Sequence, residues 1–216
     1  MDPSPTEVLA QALVDVGSRL HRAGLLPATS GNLSVRRDPD CVLLTASGLD
    51  KGRLRPSDLL GFTPEGEALG RMLPRPRDGA ALRPSAETAL HLQLYRRDPS
   101  VGAVLHVHGE AATVLSMVAE GDTLVLTGFE LLKALRGVTH HDAQVALPIL
   151  DNDQDMEALA AQVEARLDAA PGVPGYLLRG HGLYTWGADL AEAERHVEAL
   201  DFLFRCKLRL RQEGWR

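Results

Sequence analysis

The sequence predicts a single layered α/β domain in which helices cover a central sheet. Three observations support this fold class. The chain has 216 residues, of which 44% are hydrophobic, so it is long enough to bury one sizeable core. Strand-like and helix-like segments are mixed along the whole chain, and no internal repeat divides it. We therefore expect residues 1–216 to form one domain.

Apolar side chains at helical spacing predict the helices. The first helix covers residues 5–24, with Leu13, Val16 and Leu20 on one face and Gly24 at its end. Further helices are predicted at 85–97 with Ser85 as N-cap, at 111–121, at 128–137, at 154–170, and from Asp189 onward with Glu192 completing a capping box. These segments supply the helical layers of the domain.

Short apolar runs between turn residues predict the strands. They lie at 32–37, 41–47, 58–66 (with its turn), 101–108, 123–128 and 144–150, and 175–187 is a strand pair or one bulged strand. Residues 61–85 are rich in Gly, Pro and Arg, and we interpret them as an irregular loop rather than a linker between domains.

Charge and composition argue against several classes of protein. The net charge is −6 and no run of Lys or Arg exceeds a pair, which argues against nucleic acid or an anionic membrane as partner. No apolar run approaches the length of a membrane span, and the N-terminus has no apolar signal core. Two cysteines, Cys41 and Cys206, are too few for a disulfide scaffold. We expect reduced thiols and a cytoplasmic protein.

Two histidines at the end of one predicted strand are the first sign of a functional site. In the run from Val104 to Glu110, His106 and His108 stand two residues apart. Alternate side chains of a strand point to the same face, so both imidazoles share a face and Val107 points to the other. Such a pair can chelate a metal ion, although core histidines bonded to the backbone show the same pattern.

A third histidine completes a candidate metal site. His181 lies between Gly180 and Gly182 in an otherwise apolar strand, and glycines allow another group to approach closely. The alternative is a bulge with a histidine that faces solvent. With His106 and His108 it gives three imidazoles and an open fourth position, the pattern of a catalytic metal. The remaining histidines are interpreted as non-ligating: His21, His91, His140, His141 and His196.

Two loops rich in glycine and hydroxyl groups are candidate phosphate sites. Residues 29–34 (TSGNLS) and 45–48 (TASG) both lie at strand ends, where backbone N–H groups and hydroxyls can bind a phosphate. Lys51 and Ser85 are further candidate donors. Neither loop matches a P-loop or a dinucleotide fingerprint, and ordinary Ser-Gly turns have the same composition.

Two glutamates near predicted helix starts are candidate acid/base groups. Glu87 and Glu130 also have ordinary explanations, since acids in a first helical turn favour the helix dipole and Glu130 can pair with Lys133. The acidic residues 151–155 resemble a fragment of a calcium loop, but neither the glycine nor the distal glutamate follows. We interpret them as a turn and an N-cap.

An ordered set of motifs resembles the class II aldolase/adducin family. The set consists of TSGNLS, TASG, PSAET, LHVHG and GHG. The further segments SGLDKGRL, GFELLKAL, LPILDNDQD and RGHGLYTWG resemble the branch of that family that dehydrates methylthioribulose 1-phosphate in methionine salvage. The resemblance covers residues 6–210.

The resemblance implies several features of the site. The expected cofactor is Zn²⁺, one ion per subunit, held by His106, His108 and His181. The expected fold has a mostly antiparallel central sheet, and the expected assembly is a homotetramer with sites near the subunit interfaces. The expected substrate is a sugar phosphate, and its phosphate contacts are Asn32, Ser47, Gly48, Lys51 and Ser85.

The resemblance also bears on the two glutamates. Aldolases of the family use the acid that corresponds to Glu87, whereas dehydratases use the acid that corresponds to Glu130. Our hypothesis is that Glu130 acts first as the base at C3 of a ketose phosphate and then as the acid at C4. An aldolase or epimerase on the same scaffold is one alternative. A non-catalytic module like the adducin heads is another, but those lack the metal ligands that this chain has.

Overall fold

The structure is a computed structural model that describes residues 2–69, 72–73 and 81–214. Within these residues it contains five α-helices, eight strands and two 3₁₀ helices. The helices are α1 (Pro5–Arg22), α2 (Thr88–Arg97), α3 (Glu110–Val118), α4 (Met156–Ala169) and α5 (Leu190–Gln212). The strands are β1 (Asn32–Asp38), β2 (Cys41–Thr45), β3 (Leu59–Phe62), β4 (Ala103–Val107), β5 (Thr123–Leu126), β6 (Val145–Leu150), β7 (Gly175–Leu178) and β8 (Gly182–Gly187). The 3₁₀ helices span Pro56–Asp58 and Glu130–Ala134.

The strands of the described residues form one sheet in the order β3-β2-β1-β4-β8-β7-β6-β5. Neighbouring strands are antiparallel except β6 and β7, which run parallel with Ile149 beside Leu177. α4 connects these two strands, because a parallel pair needs a crossover rather than a hairpin. The predicted α/β domain with a mostly antiparallel sheet is confirmed.

Helices cover both faces of the sheet and give the domain three layers. On one face, α1, α3 and α5 pack on the sheet, with Leu200 and Leu105 in the same core. On the other face, α2 and α4 cover a second core that includes Val104 and Tyr184. Successive residues of β4 alternate between the faces, so His106 belongs to the face that α2 and α4 cover.

The structure confirms the first predicted helix as α1, which ends at Arg22. Leu13, Val16 and Leu20 are buried on one face of α1. Ser4 begins the helix with a capping box, since its Oγ accepts the Glu7 N–H at 3.3 Å and Glu7 Oε2 accepts the Ser4 N–H at 2.8 Å. The last turn ends before Gly24.

The predicted N-cap of the second helix is wrong. α2 begins at Thr88 with Glu87 at the N-cap, and Ser85 lies outside the helix. Ser85 forms a turn instead, in which its Oγ accepts the Glu87 N–H at 3.3 Å and its carbonyl accepts the Thr88 hydroxyl at 2.7 Å. Short hydroxyl side chains compete with helical hydrogen bonds in this way.

Two other predicted helices are shorter in the structure. The segment 128–137 forms only the 3₁₀ helix Glu130–Ala134. The segment 111–121 forms α3, which ends at Val118.

The capping box predicted at α5 is half formed. The Glu192 N–H donates to Asp189 Oδ1 at 2.8 Å, as predicted. Glu192 Oε2, however, accepts the Ala188 N–H at 2.7 Å rather than that of Asp189. The first bond satisfies an orphan donor of the helix, whereas the second fixes the turn before it.

The remaining segments agree with the prediction where the structure describes them. Residues 175–187 fold as the antiparallel pair of β7 and β8. The predicted loop 61–85 also contains the end of β3, and its residues 70–71 and 74–80 lie outside the described residues. Among the described helices, none is both long enough and apolar enough to cross a membrane.

Candidate metal and catalytic site

One row of side chains across the middle of the sheet frames the candidate site. β4 lies between β1 and β8, and its His106 is in register with Asn32 on one side and Tyr184 on the other. Paired residues of neighbouring strands point to the same face, so these three side chains stand side by side. The rings of His106 and Tyr184 stack, with centroids 4.0 Å apart and planes at 15°. The stack fixes the plane of the imidazole.

Three imidazoles converge at this point. The Nε2 atom of His106 lies 2.9 Å from Nε2 of His108 and 3.3 Å from Nε2 of His181. A ligand atom of each residue lies within 4.8 Å of those of the other two. Within the described residues, these histidines are the set of three with the geometry of a metal site. The structure therefore brings together the three histidines that the sequence singles out.

The hydrogen bonds of the rings determine which nitrogens carry protons. Nδ1 of His106 lies 3.0 Å from the Leu183 carbonyl oxygen, so Nδ1 donates and Nε2 keeps a lone pair. Nδ1 of His181 faces Asn152 Oδ1 at 3.2 Å, with the same consequence. Lone pairs that face each other over 3.3 Å repel unless an electrophile lies between them. The cluster therefore fits a divalent cation, and hydrogen bonds from Nδ1 orient the rings of His106 and His181 toward it.

Burial keeps two of these imidazoles neutral. Burial and the neighbouring imidazoles place the pKa of His106 well below its ordinary value. Burial, followed by His181 and the ammonium of Lys51, lowers the pKa of His108 to about 4. Neutral imidazole is the form that binds a metal ion, so the cluster is ready for one at neutral pH.

α3 holds the turn that carries His181. The Gly180 N–H donates to Ser116 Oγ at 2.9 Å, and Thr113 Oγ1 donates to the His181 carbonyl at 3.1 Å. Arg179 donates to the Ser116 carbonyl at 2.8 Å. Gly180 has a φ of 67°, which favours glycine. His181 is thus positioned by a tight turn between β7 and β8.

Glu87 is the carboxylate that the structure brings to the histidines. Its Oε1 lies 3.4 Å from Nε2 of both His106 and His181. Its Oε2 accepts a hydrogen bond from Asn32 Nδ2 at 2.6 Å. Oε1 is buried and has no hydrogen-bond partner among the described residues. A carboxylate oxygen in this position can ligate a cation or exchange a proton with a bound molecule.

Glu130 lies on the surface of the chain. Its side chain is 73% exposed and pairs with Lys133, three residues further along the 3₁₀ helix. The hydrogen bond from Lys133 lowers the pKa of Glu130. Among the described residues, no hydrogen bond or ion pair connects Glu130 with the histidine cluster. Within one chain, Glu87 therefore lies at the histidine cluster and Glu130 lies on the surface beside Lys133.

Lys51 connects the two candidate phosphate loops. Its buried Nζ donates to the carbonyl oxygens of Thr29 at 3.0 Å and Leu49 at 2.7 Å. Burial lowers the pKa of Lys51, whereas the charges of Asp50 and Glu87 raise it. The loops 29–34 and 45–51 therefore lie together at the edge of the cluster, with an ammonium group between them.

The other predicted phosphate contacts lie nearby. The Ser47 N–H donates to the Arg83 carbonyl at 2.9 Å, which joins the second loop to the segment before α2. Gly48 has a φ of 75°, and no described atom lies within 4 Å of the position of a Cβ. Ser85 Oγ accepts a second bond from Asn32 Nδ2 at 3.3 Å. Asn32 and Ser85 thus lie beside Glu87.

Sequence reasoning misses two residues of this region. The sequence predicts only that His91 does not bind the metal. In the structure, His91 is completely buried and forms hydrogen bonds with Asn32 and Ser34 beside the cluster. Sequence reasoning gives no role to Tyr184, which covers one face of the His106 ring. One signal is present in the sequence, because Glu87, His91 and Tyr95 follow at four-residue intervals and share a helix face.

Comparison with known proteins identifies the family. Residues 11–208 match the model of the Class II Aldolase and Adducin N-terminal domain. The chain belongs to the class II aldolase/adducin family. The methylthioribulose-1-phosphate dehydratase of Pseudomonas aeruginosa LESB58 is 50% identical over 204 residues, which are 94% of this chain and 95% of that protein. The enzyme of the same name from Pseudomonas syringae pv. tomato DC3000 is 49% identical over 205 residues, 95% of this chain and 96% of that one.

Solved structures of the family have the same fold. L-fuculose-1-phosphate aldolase from Thermus thermophilus is 29% identical and superposes with a TM-score of 0.74, covering 97% of this chain and 98% of that one. YgbL from Escherichia coli is 27% identical with a TM-score of 0.77, covering 96% and 91%. The class II aldolase-like fold is therefore confirmed. With relatives at about half identity named dehydratases, the chain is an enzyme, a lyase of the dehydratase type.

Proposed function

We propose that this enzyme dehydrates 5-methylthioribulose 1-phosphate to 2,3-diketo-5-methylthiopentyl 1-phosphate, as a step of methionine salvage. The observation that carries the proposal is the match of nearly the whole chain with relatives named for this reaction. The convergence of His106, His108 and His181 beside Glu87 supports a metal-dependent site for it. The net charge and the acidic composition also suit a small-molecule substrate better than a nucleic acid.

The proposed cofactor is one zinc ion per subunit, held by His106, His108 and His181. A set of three neutral imidazoles with room for a further ligand is typical of catalytic zinc. Bound there, zinc supplies Lewis acidity to the oxygens at C2 and C3 of the substrate. Tyr184 and the Leu183 carbonyl hold the His106 ring in place, and Thr113 and Ser116 hold the turn of His181.

The two glutamates have different proposed roles. Glu130 removes the proton from C3 and delivers it to the C4 hydroxyl, which leaves as water and gives an enol. Glu87 Oε1 then accepts the proton of the C3 hydroxyl as C4 is protonated from solvent, which gives the 2,3-diketone. Glu87 is suited to this step because its Oε2 is bonded to Asn32 while Oε1 faces the histidines.

The proposed phosphate site is formed by the two loops beside the cluster. Lys51 supplies a cation, and Ser47 and Gly48 supply a hydroxyl and a backbone N–H. Asn32 and Ser85 complete the set proposed from the sequence. The substrate then extends from a phosphate on these loops to its C2 and C3 oxygens at the histidines.

Glu130 reaches the site only from a neighbouring copy, because within one chain it lies on the surface beside Lys133. We therefore propose a homotetramer in which each site uses Glu130 of a neighbouring subunit. The variants Glu130→Gln and His181→Gln test this arrangement when they are co-assembled. Each is inactive alone, and random mixing restores activity at about a quarter of the sites if the two residues come from different chains. Mixtures that stay inactive would overturn the shared site.

The products of the reaction distinguish a dehydratase from an aldolase or an epimerase. The zinc-loaded enzyme is incubated with 5-methylthioribulose 1-phosphate, and mass spectrometry follows the products. Loss of one water, with a diketone that reacts with a vicinal diamine, is the expected result. A triose phosphate and an aldehyde would instead indicate an aldolase. An unchanged mass with an inverted stereocentre would indicate an epimerase, and metal analysis of the same sample checks the zinc.

A further inference from the structure

A buried chain of hydrogen bonds leads from Glu87 into the core. Glu87 Oε2 accepts from Asn32 Nδ2 at 2.6 Å. Asn32 Oδ1 contacts Nε2 of His91, whose Nδ1 lies 2.7 Å from Ser34 Oγ. Ser34 Oγ lies 2.8 Å from the Tyr95 hydroxyl. Asn32, Ser34, His91 and Tyr95 are buried, so these groups depend on one another for partners.

This chain of hydrogen bonds forms because the two-residue repeat of β1 and the nearly four-residue repeat of α2 place polar side chains on facing surfaces. Asn32 and Ser34 are two residues apart on β1 and point to the same face of the sheet. Glu87, His91 and Tyr95 are four residues apart and line the face of α2 that lies on the sheet. The polar residues of the two elements therefore interleave, and apolar side chains of the second core surround them.

The donors in this chain have one consistent order. An ionised carboxylate only accepts, so Asn32 directs its NH₂ group to Glu87 and its Oδ1 to His91. His91 must then donate from Nε2, which leaves Nδ1 to accept from the Ser34 hydroxyl at 2.7 Å, closer than the Val104 carbonyl oxygen at 3.4 Å. Ser34 Oγ in turn accepts from Tyr95. Burial lowers the pKa of His91 to about 3, so its ring is neutral and has one N–H.

We propose that His91 is a positioning residue that holds Glu87 through Asn32. By donating to Asn32 Oδ1, it fixes the amide with its NH₂ group toward Glu87. The carboxylate is then held by Oε2, and Oε1 stays directed at His106 and His181. This inference rests on the proposed function for the work that Glu87 does, and it assigns His91 no contact with substrate or metal.

The tautomer of His91 gives a test that is independent of activity. The full-length metal-loaded enzyme is labelled with ¹⁵N-histidine, and the His91→Gln variant assigns its signals. The expected spectrum shows a proton on Nε2 and none on Nδ1. A proton on Nδ1 would reverse every bond of the chain and overturn the inference, whatever the enzyme's substrate is.

A double-mutant cycle gives the kinetic test. With the proposed substrate, His91→Phe is expected to lower kcat about 10- to 100-fold, because Asn32 loses the hydrogen bond that orients its amide toward Glu87, with KM and zinc content little changed. His91→Gln retains part of the activity because its amide can donate to Asn32. In a Glu87→Gln background, with residual turnover measured at high enzyme concentration, His91→Phe is expected to add no further loss.

A control separates positioning from general damage to the core. His196 is a second buried helix histidine with both ring nitrogens bonded, to the Trp186 carbonyl and the Arg136 N–H. His196→Phe is expected to lower stability but not kcat. An equal kcat loss in both variants, or an undiminished effect of His91→Phe in the Glu87→Gln background, would overturn the inference. Failure of the wild-type enzyme to dehydrate the substrate counts against the proposed function instead.

Discussion

Single residues control how closely the loops approach the histidines. Gly31 has a φ of 71°, in the left-handed region that favours glycine. A Cβ on this residue would lie 2.3 Å from Leu26 Cδ2 and 2.7 Å from the His106 carbonyl oxygen. Gly31 therefore allows the loop 29–34 to lie against the end of β4.

Gly31→Ala is expected to lower the free energy of unfolding by about 2–4 kcal/mol, since strain and a backbone clash add together. Gly24→Ala is the matched control, because Gly24 has a φ of 78° but no described atom within 4 Å of a Cβ. The control should lose only about 1 kcal/mol, the cost of the conformation alone. Urea denaturation measures both, and equal losses would show that the close approach to His106 is unimportant.

The histidines could be predicted from local sequence, but the approach of Glu87 could not. Two histidines at alternate positions of a strand, and a third between two glycines, can be recognised from neighbouring residues alone. The structure brings all three together. Ser85 is a typical N-cap residue, but in the structure it forms a local turn, and Glu87 reaches Asn32, 55 positions away. Such a contact is invisible in a local pattern.

At the scale of elements, α3 holds the turn of His181. Ser116→Ala removes the acceptor of the Gly180 N–H and is expected to weaken binding of the proposed zinc ion about tenfold, because the turn that orients His181 loses a hydrogen bond. Ser18→Ala, which removes only an exposed bond to Arg22 on α1, is the control and should not change zinc affinity. Competition with a chelator measures the affinity. Unchanged zinc binding in Ser116→Ala would mean that other contacts position the turn.

The start of α5 depends on the contact between Glu192 and Arg136. The hydrogen bond from Arg136 lowers the pKa of Glu192 to about 2, from 4.5. Because the folded state binds this proton less readily than the unfolded state, the contact stabilises the fold above about pH 4.5 and is lost as the pH falls toward 2. Arg136 is 44% exposed, so screening by solvent reduces the contribution to about 1 kcal/mol.

Glu192→Gln should therefore lower stability by about 1 kcal/mol at neutral pH and have little effect near pH 2. Arg136→Gln should likewise reduce the decrease in the free energy of unfolding between neutral and acidic pH, because the contact needs both partners. Denaturant unfolding between pH 7 and the acid range measures this difference. If the free energy of unfolding of Glu192→Gln falls with decreasing pH as steeply as that of the wild type, the acid sensitivity comes from other groups, such as the buried His91.

Element boundaries were less predictable than element types. Helix and strand types follow from apolar spacing, whereas the 3₁₀ helix Glu130–Ala134 replaces a predicted α-helix because few of its residues are buried. The half-formed cap at Asp189 has a different cause, since Arg136 and Ala188 take the Glu192 carboxylate away from the cap. Tertiary contacts decide such ends.

At the scale of the whole molecule, an apolar patch on α5 supports the proposed homotetramer. The α5 patch consists of Phe202, Cys206 and Leu210 of α5 with Phe129 beside them, and Arg205 and Arg209 also line it. Phe202 is 46% exposed. Phe129 directly precedes Glu130 in the chain. Burial of the patch between copies would therefore carry Glu130 into an interface.

Phe202→Glu is expected to shift the protein to smaller species in light scattering and to lower activity at the same time. The control is Val8→Glu, which places the same charge at an exposed apolar residue of α1. An assembly that is unchanged by Phe202→Glu would exclude the α5 patch from the interface. Loss of activity in the intact assembly would point to a local effect on the segment of Glu130.

The fold class could be predicted from the chain, but the strand order could not. Length, composition and mixed elements suffice for an α/β layer structure. The position of β4 between β1 and β8 depends on pairing between distant segments, for which the residues of a single strand hold no local signal. The row of Asn32, His106 and Tyr184 is therefore a property of the assembled sheet.

The strand order also bears on when the proposed cation site can form during biosynthesis. His106 and His181 are 75 positions apart, and the pairing of β8 with β4 brings their rings together. A nascent chain that has emerged only as far as α4 has two of the three imidazoles and an unpaired edge on β4. For the proposed zinc site, we therefore expect metal capture to be one of the last events of maturation. The zinc ion would then bind a nearly complete polypeptide and not its early folding intermediates.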